Sequence, residues 1–322
     1  MDKKAISIII PVYNTGKLLE RCLQSAINQT YRDIEVVVLN NGSTDNSVEI
    51  IEKYKKKDSR IKYFSISHVP TGCESRNAAI LKSHNEWVVP LDSDDYIEPS
   101  YIDKLWRRHI ETNADFVGSK MVGTDIETGN VKFVIPNESF RFDKIYDGKQ
   151  AASLTIGDWL ISVNGALMKK SLLPCFQRGD AKPLYNDEYE SREILFNAKT
   201  VAFSKAEYYY MLNPDSTGKK KSFSKLIYNP TAHLGLVRFV KEKYGVNSIE
   251  YKKEQDIVRS IIAHSLKDSL MYNGIINRSQ KSQYQFVLSK LFDEYNFQIS
   301  SIKSILSTFL YFVNKITYIL LR

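Results

Sequence analysis

Two apolar, β-branched runs open the chain, Ala5–Val12 (AISIIIPV) and Ile34–Leu39 (IEVVVL). Continuous rather than alternating hydrophobicity predicts strands buried on both faces, as in a parallel sheet. Between them, Leu18, Leu19, Cys22, Leu23, Ala26 and Ile27 recur at helical spacing across Lys17–Gln29, which supplies the crossover helix that a parallel pair requires. The alternation continues with a helix over Asp45–Lys57 behind the turn Asn41-Gly42-Ser43, and a strand over Ile61–Ile66. A helix over Glu74–Ser83, a strand over Glu86–Leu91, a helix over Ser100–Thr112 and a strand over Ala114–Ser119 follow. Repeated strand-helix-strand units predict a doubly wound α/β layer, in which ligands bind beyond the carboxyl ends of the strands. Functional residues are therefore expected just after Val12, Leu39 and Leu91.

From Thr124 to Ile145 the pattern weakens into short strands and turns. Trp159–Leu173 and Asp187–Asn197 read as mixed elements, and an aromatic strand runs over Val201–Leu212. The turn-rich Asn213–Gly218 and the run Lys219-Lys220-Lys221 mark a boundary, so residues 1–218 form one expected domain and 219–322 a helical extension. Helices are expected near Pro230–Tyr244, Tyr251–Tyr272 and Gln280–Tyr295. The final stretch places Ile299, Ile302, Ile305, Leu306, Phe309, Leu310, Val313, Ile316 and Leu320 at three-and-four spacing, an amphipathic helix over 299–322. Lys303 and Lys315 interrupt it too often for a span of about 20 apolar residues.

Over 322 residues the hydrophobic share of 43% and charged share of 25% exclude a disordered or collagen-like chain. The net charge of +8 invites a polyanionic partner such as nucleic acid. Its distribution argues otherwise: residues 1–215 hold 28 basic and 30 acidic residues, whereas 216–322 hold 17 and 7. The surplus belongs to the helical third, beside an amphipathic tail and without a nucleic-acid-binding motif, so no nucleic-acid partner is expected. That tail fits an in-plane helix on an anionic membrane surface, or a helix docked on the first domain or on a second subunit. Truncation before Ile299 separates these: a shortened chain that still sediments with anionic vesicles excludes the membrane role. Cys22, Cys73 and Cys175 are odd in number and widely spaced, so neither a disulfide framework nor a thiolate zinc site is indicated, and a reducing cytoplasmic setting fits. The opening MDKKAISIIIPVYN lacks a small-residue cleavage site and reads as the first buried strand.

Leu91-Asp92-Ser93-Asp94-Asp95 ends an apolar strand with three acids in four positions. Carboxylates that close repel one another unless a cation neutralises them, and a hard divalent ion bridging to phosphates would do so. The competing reading is helix capping. Position favours the first, and three more motifs precede it: Ile10-Pro11-Val12-Tyr13-Asn14, Asn40-Asn41-Gly42-Ser43-Thr44-Asp45, and Gly72 with Ser75-Arg76-Asn77. In this order the four motifs resemble the family 2 glycosyltransferases of the GT-A fold, closely over about 85 residues and loosely to about residue 218. No Gly-rich phosphate loop of a sugar-phosphate nucleotidyltransferase, GxGxxG or P-loop accompanies them.

The resemblance implies an inverting transfer of a sugar from a nucleotide donor, UDP in the first place, to a hydroxyl of a cell-surface polysaccharide or lipid-linked saccharide. It implies an α/β fold, a GT-A type doubly wound mixed sheet with a C-terminal helical extension. Donor-binding residues would be Pro11, Tyr13, Asn41, Arg76, Asp92, Ser93 and Asp94. Tyr13 would stack on the base, Asp92 hold the ribose hydroxyls, and Asp94 ligate Mn2+ or Mg2+. Asn41 stands where the family usually has an Asp that accepts from the uracil imide, and a neutral amide is a weaker acceptor. Tyr185-Asn186-Asp187-Glu188-Tyr189-Glu190 is similar to the family's acidic acceptor motif, which makes Asp187 the expected base and Glu188 an acceptor-side group. The alternative is the charged first turn of a solvent-facing helix. Trp159 would stack on the acceptor sugar or lie buried. Met211 replaces a frequent arginine, leaving Lys219–Lys221 to supply positive charge. These departures leave a non-catalytic binding or scaffold protein of the same fold as the alternative.

Overall fold

In the computed structural model the described residues are 4–136, 141–157, 163–212 and 222–294. The chain divides into two compact units, Met1–Leu184 with Glu190–Asn213, and Tyr185–Tyr189 with Pro214–Arg322.

The first unit carries nine strands: β1 (Ile6–Val12), β2 (Ile34–Asn41), β3 (Ile61–Ile66), β4 (Trp87–Pro90), β5 (Tyr96–Ile97), β6 (Phe116–Asp125), β7 (Val131–Ile135), β8 (Leu167–Lys169) and β9 (Val201–Leu212). They form one mixed sheet in the order β3-β2-β1-β4-β8-β6-β9-β5, with β7 paired to β6. The pairs β1 with β2, β2 with β3 and β1 with β4 are parallel, as the continuous apolar runs require. Ile6, Ile8, Ile10, Val36 and Val38 face one core with Leu19, Leu23 and Trp106, while Ile9, Val37 and Leu39 face the other with Ala79, Ile80 and Phe116. Each face of the sheet thus buries alternate residues of the same strands, and the buried polar pair within them, Ser7 and Glu35, is satisfied by a mutual hydrogen bond of 2.7 Å.

Helices α1 (Gly16–Ile27), α2 (Ser47–Lys57), α3 (Gly72–Lys82) and α4 (Tyr101–Thr112) follow their strands as expected. Thr71 caps α3 by accepting the Glu74 backbone N–H at 3.1 Å. Asp45 serves two helices at once, accepting the Gly16 N–H at the start of α1 (2.9 Å) and the Ser47 N–H at the start of α2 (3.0 Å). Further along lie α5 (Gly148–Ser153), α6 (Pro174–Arg178) and α7 (Asp187–Asn197). Strand β7 falls within the short strands expected over Thr124–Ile145, whereas the periodicity missed β5 and β8, which have two and three residues and so show too few alternations to register.

The second unit contains α8 (Phe223–Lys243), α9 (Ile249–Met271) and α10 (Arg278–Glu294). Helix α8 starts seven residues before the expected Pro230 and runs through it. A proline inside a helix forfeits a backbone hydrogen bond; burial of Leu226, Leu234, Leu236 and Val237 along α8 offsets that cost. Among the described residues no helix is long and apolar enough to cross a membrane. The expected tail helix 299–322, Lys219–Lys221 and Trp159 lie outside the described residues.

Candidate active site

Parallel pairing brings the carboxyl ends of β1, β2 and β4 side by side, with Val12 opposite Asn40 and Ile9 opposite Pro90. Pro11 stands just past the last β1–β4 pair. Tyr13 follows, 38% exposed, with its ring stacked on His68 (centroids 4.3 Å apart). Asn14 adopts φ +52° and binds the β2 turn through its backbone N–H to Ser43 Oγ and its Oδ1 to the Thr44 N–H. The first two motifs are therefore one hydrogen-bonded surface.

The third strand end carries the acids. The Asp92 backbone N–H donates to the Tyr208 hydroxyl at 3.1 Å, and that hydroxyl donates to Asp95 Oδ2 at 2.7 Å. Asp95 Oδ1 accepts the Met211 N–H at 2.8 Å. Met211 is thus placed by its backbone, and its side chain is buried. The Ser93 hydroxyl accepts from Thr15 Oγ1 at 3.0 Å. Arg21 from α1 lies over the Tyr96 ring at 4.5 Å, Tyr96 stacks on Tyr209, and the Arg21 guanidinium reaches the Asp94 carbonyl at 3.4 Å.

Burial raises the Asp94 carboxyl above its ordinary range, opposed by its own backbone N–H and the Arg21 charge. Asp95 is pushed well above that range by burial and then by the charges of Asp94 and Asp92. The same field reaches outward: burial first, then the three carboxylates, lift Tyr210 to about 12 and hold the Cys22 thiol well above its usual value. The cluster is a pocket of negative potential with Arg21 as its near cation.

Two residues outside the expected set organise this edge. Asn164 donates through Nδ2 to Asp92 Oδ2 at 2.8 Å and accepts from Arg76 at 3.1 Å, so it joins the third motif to the fourth. Its neighbour Gly165 has φ +78° and donates its N–H to the Pro90 carbonyl at 2.9 Å. A Cβ at 165 would strike the Tyr101 hydroxyl and the Tyr208 ring. Gly165→Ala should therefore lower stability by about 2–5 kcal/mol, from backbone strain plus overpacking. It should also weaken nucleotide binding by displacing Tyr208; thermal denaturation with and without nucleoside diphosphate checks both. The resemblance places the stretch from Gly157 to Asn164-Gly165 where similar enzymes shape the acceptor pocket; that Asn164 bonds Asp92 and Arg76 is not legible in periodicity.

The acidic acceptor motif divides. Glu190 is 3% exposed and accepts from Cys73 Sγ, Asn77 and Arg178, so it anchors α7 to α3 and α6. In the second unit, Asn186 Oδ1 accepts the Tyr189 N–H at 3.3 Å and its Nδ2 donates to the Tyr228 carbonyl, which gives it a capping role at the start of α7. Asp187 accepts from the Tyr228 hydroxyl at 2.6 Å, and Glu188 is buried.

Residues 7–175, more than half of the chain, match the family described as Glycosyl transferase family 2. The chain belongs to that family. Glycosyltransferase GlyA of Streptococcus pneumoniae serotype 4 is 31% identical over 224 residues, 66% of this chain and 31% of that protein. Glycosyltransferase GlyG of the same organism is 28% identical over 192 residues, 60% of this chain and 62% of that protein. The chain thus spans less than two thirds of the length of either relative. In fold it is similar to S. aureus TarS residues 1–349 in complex with UDP-GlcNAc, with a TM-score of 0.65 at 17% identity, covering 98% of this chain and 90% of that one. A mannosyltransferase from Pyrobaculum calidifontis in complex with GDP-Man and Mn2+ gives 0.54 at 11% identity, over 99% and 88%. The fold is of the GT-A type.

The bound Mn2+ of that mannosyltransferase raises the question of a metal here. Among the described residues no three His, Cys, Asp or Glu side chains converge as a cage. A hard divalent ion that keeps waters and takes phosphate oxygens needs only one or two carboxylates. Asp94, desolvated and only partly offset by the Arg21 charge, fits that lesser demand.

Proposed function

We propose that this chain is an inverting glycosyltransferase that moves a sugar from a nucleotide donor to a hydroxyl of a polysaccharide or lipid-linked saccharide. The observation that carries the reading is the carboxylate edge: Asp92, Ser93 and Asp94 at the end of β4, tied to Arg76 through Asn164. The family membership and the UDP-GlcNAc bound by the TarS neighbour support a nucleotide-sugar donor, with UDP the first candidate.

In this reading Tyr13 offers its ring face to the base and Pro11 shapes the turn that presents it. Asp92, oriented by Asn164, accepts from the ribose hydroxyls, and Arg76 faces the donor's negative charge. Ser93 adds a hydroxyl held by Thr15. Asp94 would hold Mn2+ or Mg2+, which when bound offsets charge on the departing diphosphate. Asp187 takes the proton from the acceptor hydroxyl; its oxygen forms the new bond to the anomeric carbon as the carbon–oxygen bond to the diphosphate breaks, and the electron pair leaves with the nucleotide. Trp159 and Glu188 are assigned to the acceptor side. The basic tail would bring the enzyme to the inner face of the membrane, where lipid-linked acceptors lie.

The test is a panel of UDP-, GDP- and TDP-sugars incubated with purified protein and Mn2+, reading released nucleoside diphosphate. Release by the wild type that disappears in Asp94→Ala and in Asp187→Ala supports the assignment. A folded protein that releases nucleotide from none of them supports the scaffold alternative instead.

A further inference from the structure

Asn41, the last residue of β2, is 3% exposed, and both polar atoms of its amide are engaged by one residue. Its Oδ1 accepts the Val69 backbone N–H at 2.7 Å and its Nδ2 donates to the Val69 carbonyl at 3.0 Å. Its own carbonyl faces His68 Nδ1 at 3.2 Å. A carbonyl only accepts, so Nδ1 is the donor in this contact. Gly42 follows at φ +70°, and a Cβ there would lie 3.0 Å from the His68 backbone nitrogen. The connection between β3 and α3 is thus clasped to the end of β2, and the clasp lays the His68 ring on Tyr13.

The chemistry of this clasp accounts for the amide at position 41. Gripping the N–H and the C=O of one residue takes one acceptor and one donor. An amide has both; a carboxylate has only acceptors and would set its second oxygen against the Val69 carbonyl. We infer that Asn41 is a positioning residue for the 67–71 loop, and that the donor base is held by stacking on the Tyr13–His68 ring pair rather than read by the Asn41 side chain. This rests on the nucleotide-donor reading and deepens it. Stacking on paired rings tolerates every base, because every base has a π-face. The site therefore holds UDP, TDP, CDP and GDP with affinities closer together than an ionised acceptor aimed at one imide N–H would give.

Calorimetric titration of the full chain with UDP, TDP, CDP and GDP tests this, using wild type, Asn41→Asp, His68→Ala and the double variant, with melting temperature followed in parallel. Asn41→Asp and His68→Ala should each weaken all four nucleotides by a similar factor, about tenfold for the lost stacking. The UDP-to-CDP ratio should stay within about twofold, and the double variant should be no weaker than the worse single one. Tighter UDP binding by Asn41→Asp, with CDP unchanged, would show that residue 41 reads the base and overturns the inference. If Asn41→Asp does not fold, His68→Ala decides alone, since unchanged affinity for all four nucleotides overturns it equally. A wild type that binds none of the four removes the nucleotide-donor reading itself, an outcome distinct from a change in base preference.

Discussion

Replacing Asp187 with Asn should lower the turnover number for sugar transfer by about 10²–10⁴, the range for loss of a general base, while the affinity for nucleoside diphosphate stays within about twofold. Asn is the informative choice. It keeps an oxygen for the Tyr228 hydroxyl, which the structure places at 2.6 Å, and so preserves the start of α7 while removing the proton acceptor. Its neighbours fill other roles: Asn186 caps the helix and Glu190 is committed to Cys73, Asn77 and Arg178. Steady-state kinetics with a competent acceptor, alongside nucleotide titration, separate the two effects. A variant with full turnover would move the base to Glu188, and Glu188→Gln would then carry the loss.

Asp94→Asn should reduce transfer by about 10²-fold or more, the size of effect seen when one stabiliser of developing charge is removed. A second signature marks its role. In the wild type, adding Mn2+ should tighten nucleoside diphosphate binding; in Asp94→Asn that increment should vanish while metal-free affinity holds or improves, because one repulsive charge facing the diphosphate has gone. Titration in Mn2+ and in chelator reads both numbers. An increment that survives the substitution would assign the ion to other groups. Asp95 already accepts at both oxygens, from Tyr208 and from the Met211 N–H, which ties it to β9.

The parts of this molecule legible in the sequence are those built from local repetition. The buried parallel strands β1 and β2 announced themselves as unbroken apolar runs, and α1 and α4 as stripes, because burial on a sheet forces those spacings. The placement of the acids and of Tyr13 at strand ends was legible because the apolar runs mark where β1 and β4 stop. What escaped depends on residues distant in the chain. Asn164 meets Asp92 across 72 positions, Tyr208 meets Asp95 across 113, and Asn41 meets Val69 across 28. No periodicity encodes such pairs. Position 41 also shows what a motif leaves out: the amide reads as a weakened acid, and nothing local in the sequence shows that both of its polar atoms meet the backbone of Val69.

The hold of Tyr208 and Met211 on Asp95 has a consequence for the order in which the protein comes into being. The strand that supplies them, β9, pairs with β6 and β5, and it is the last strand of the sheet to leave a ribosome. The matched family segment ends at Cys175, before β9 begins. A nascent chain stopped there already carries every acid of the β4 edge but neither group that fixes Asp95. Asp95 therefore gains its fixed position only after Tyr208 and Met211 have been made and β9 has paired non-locally.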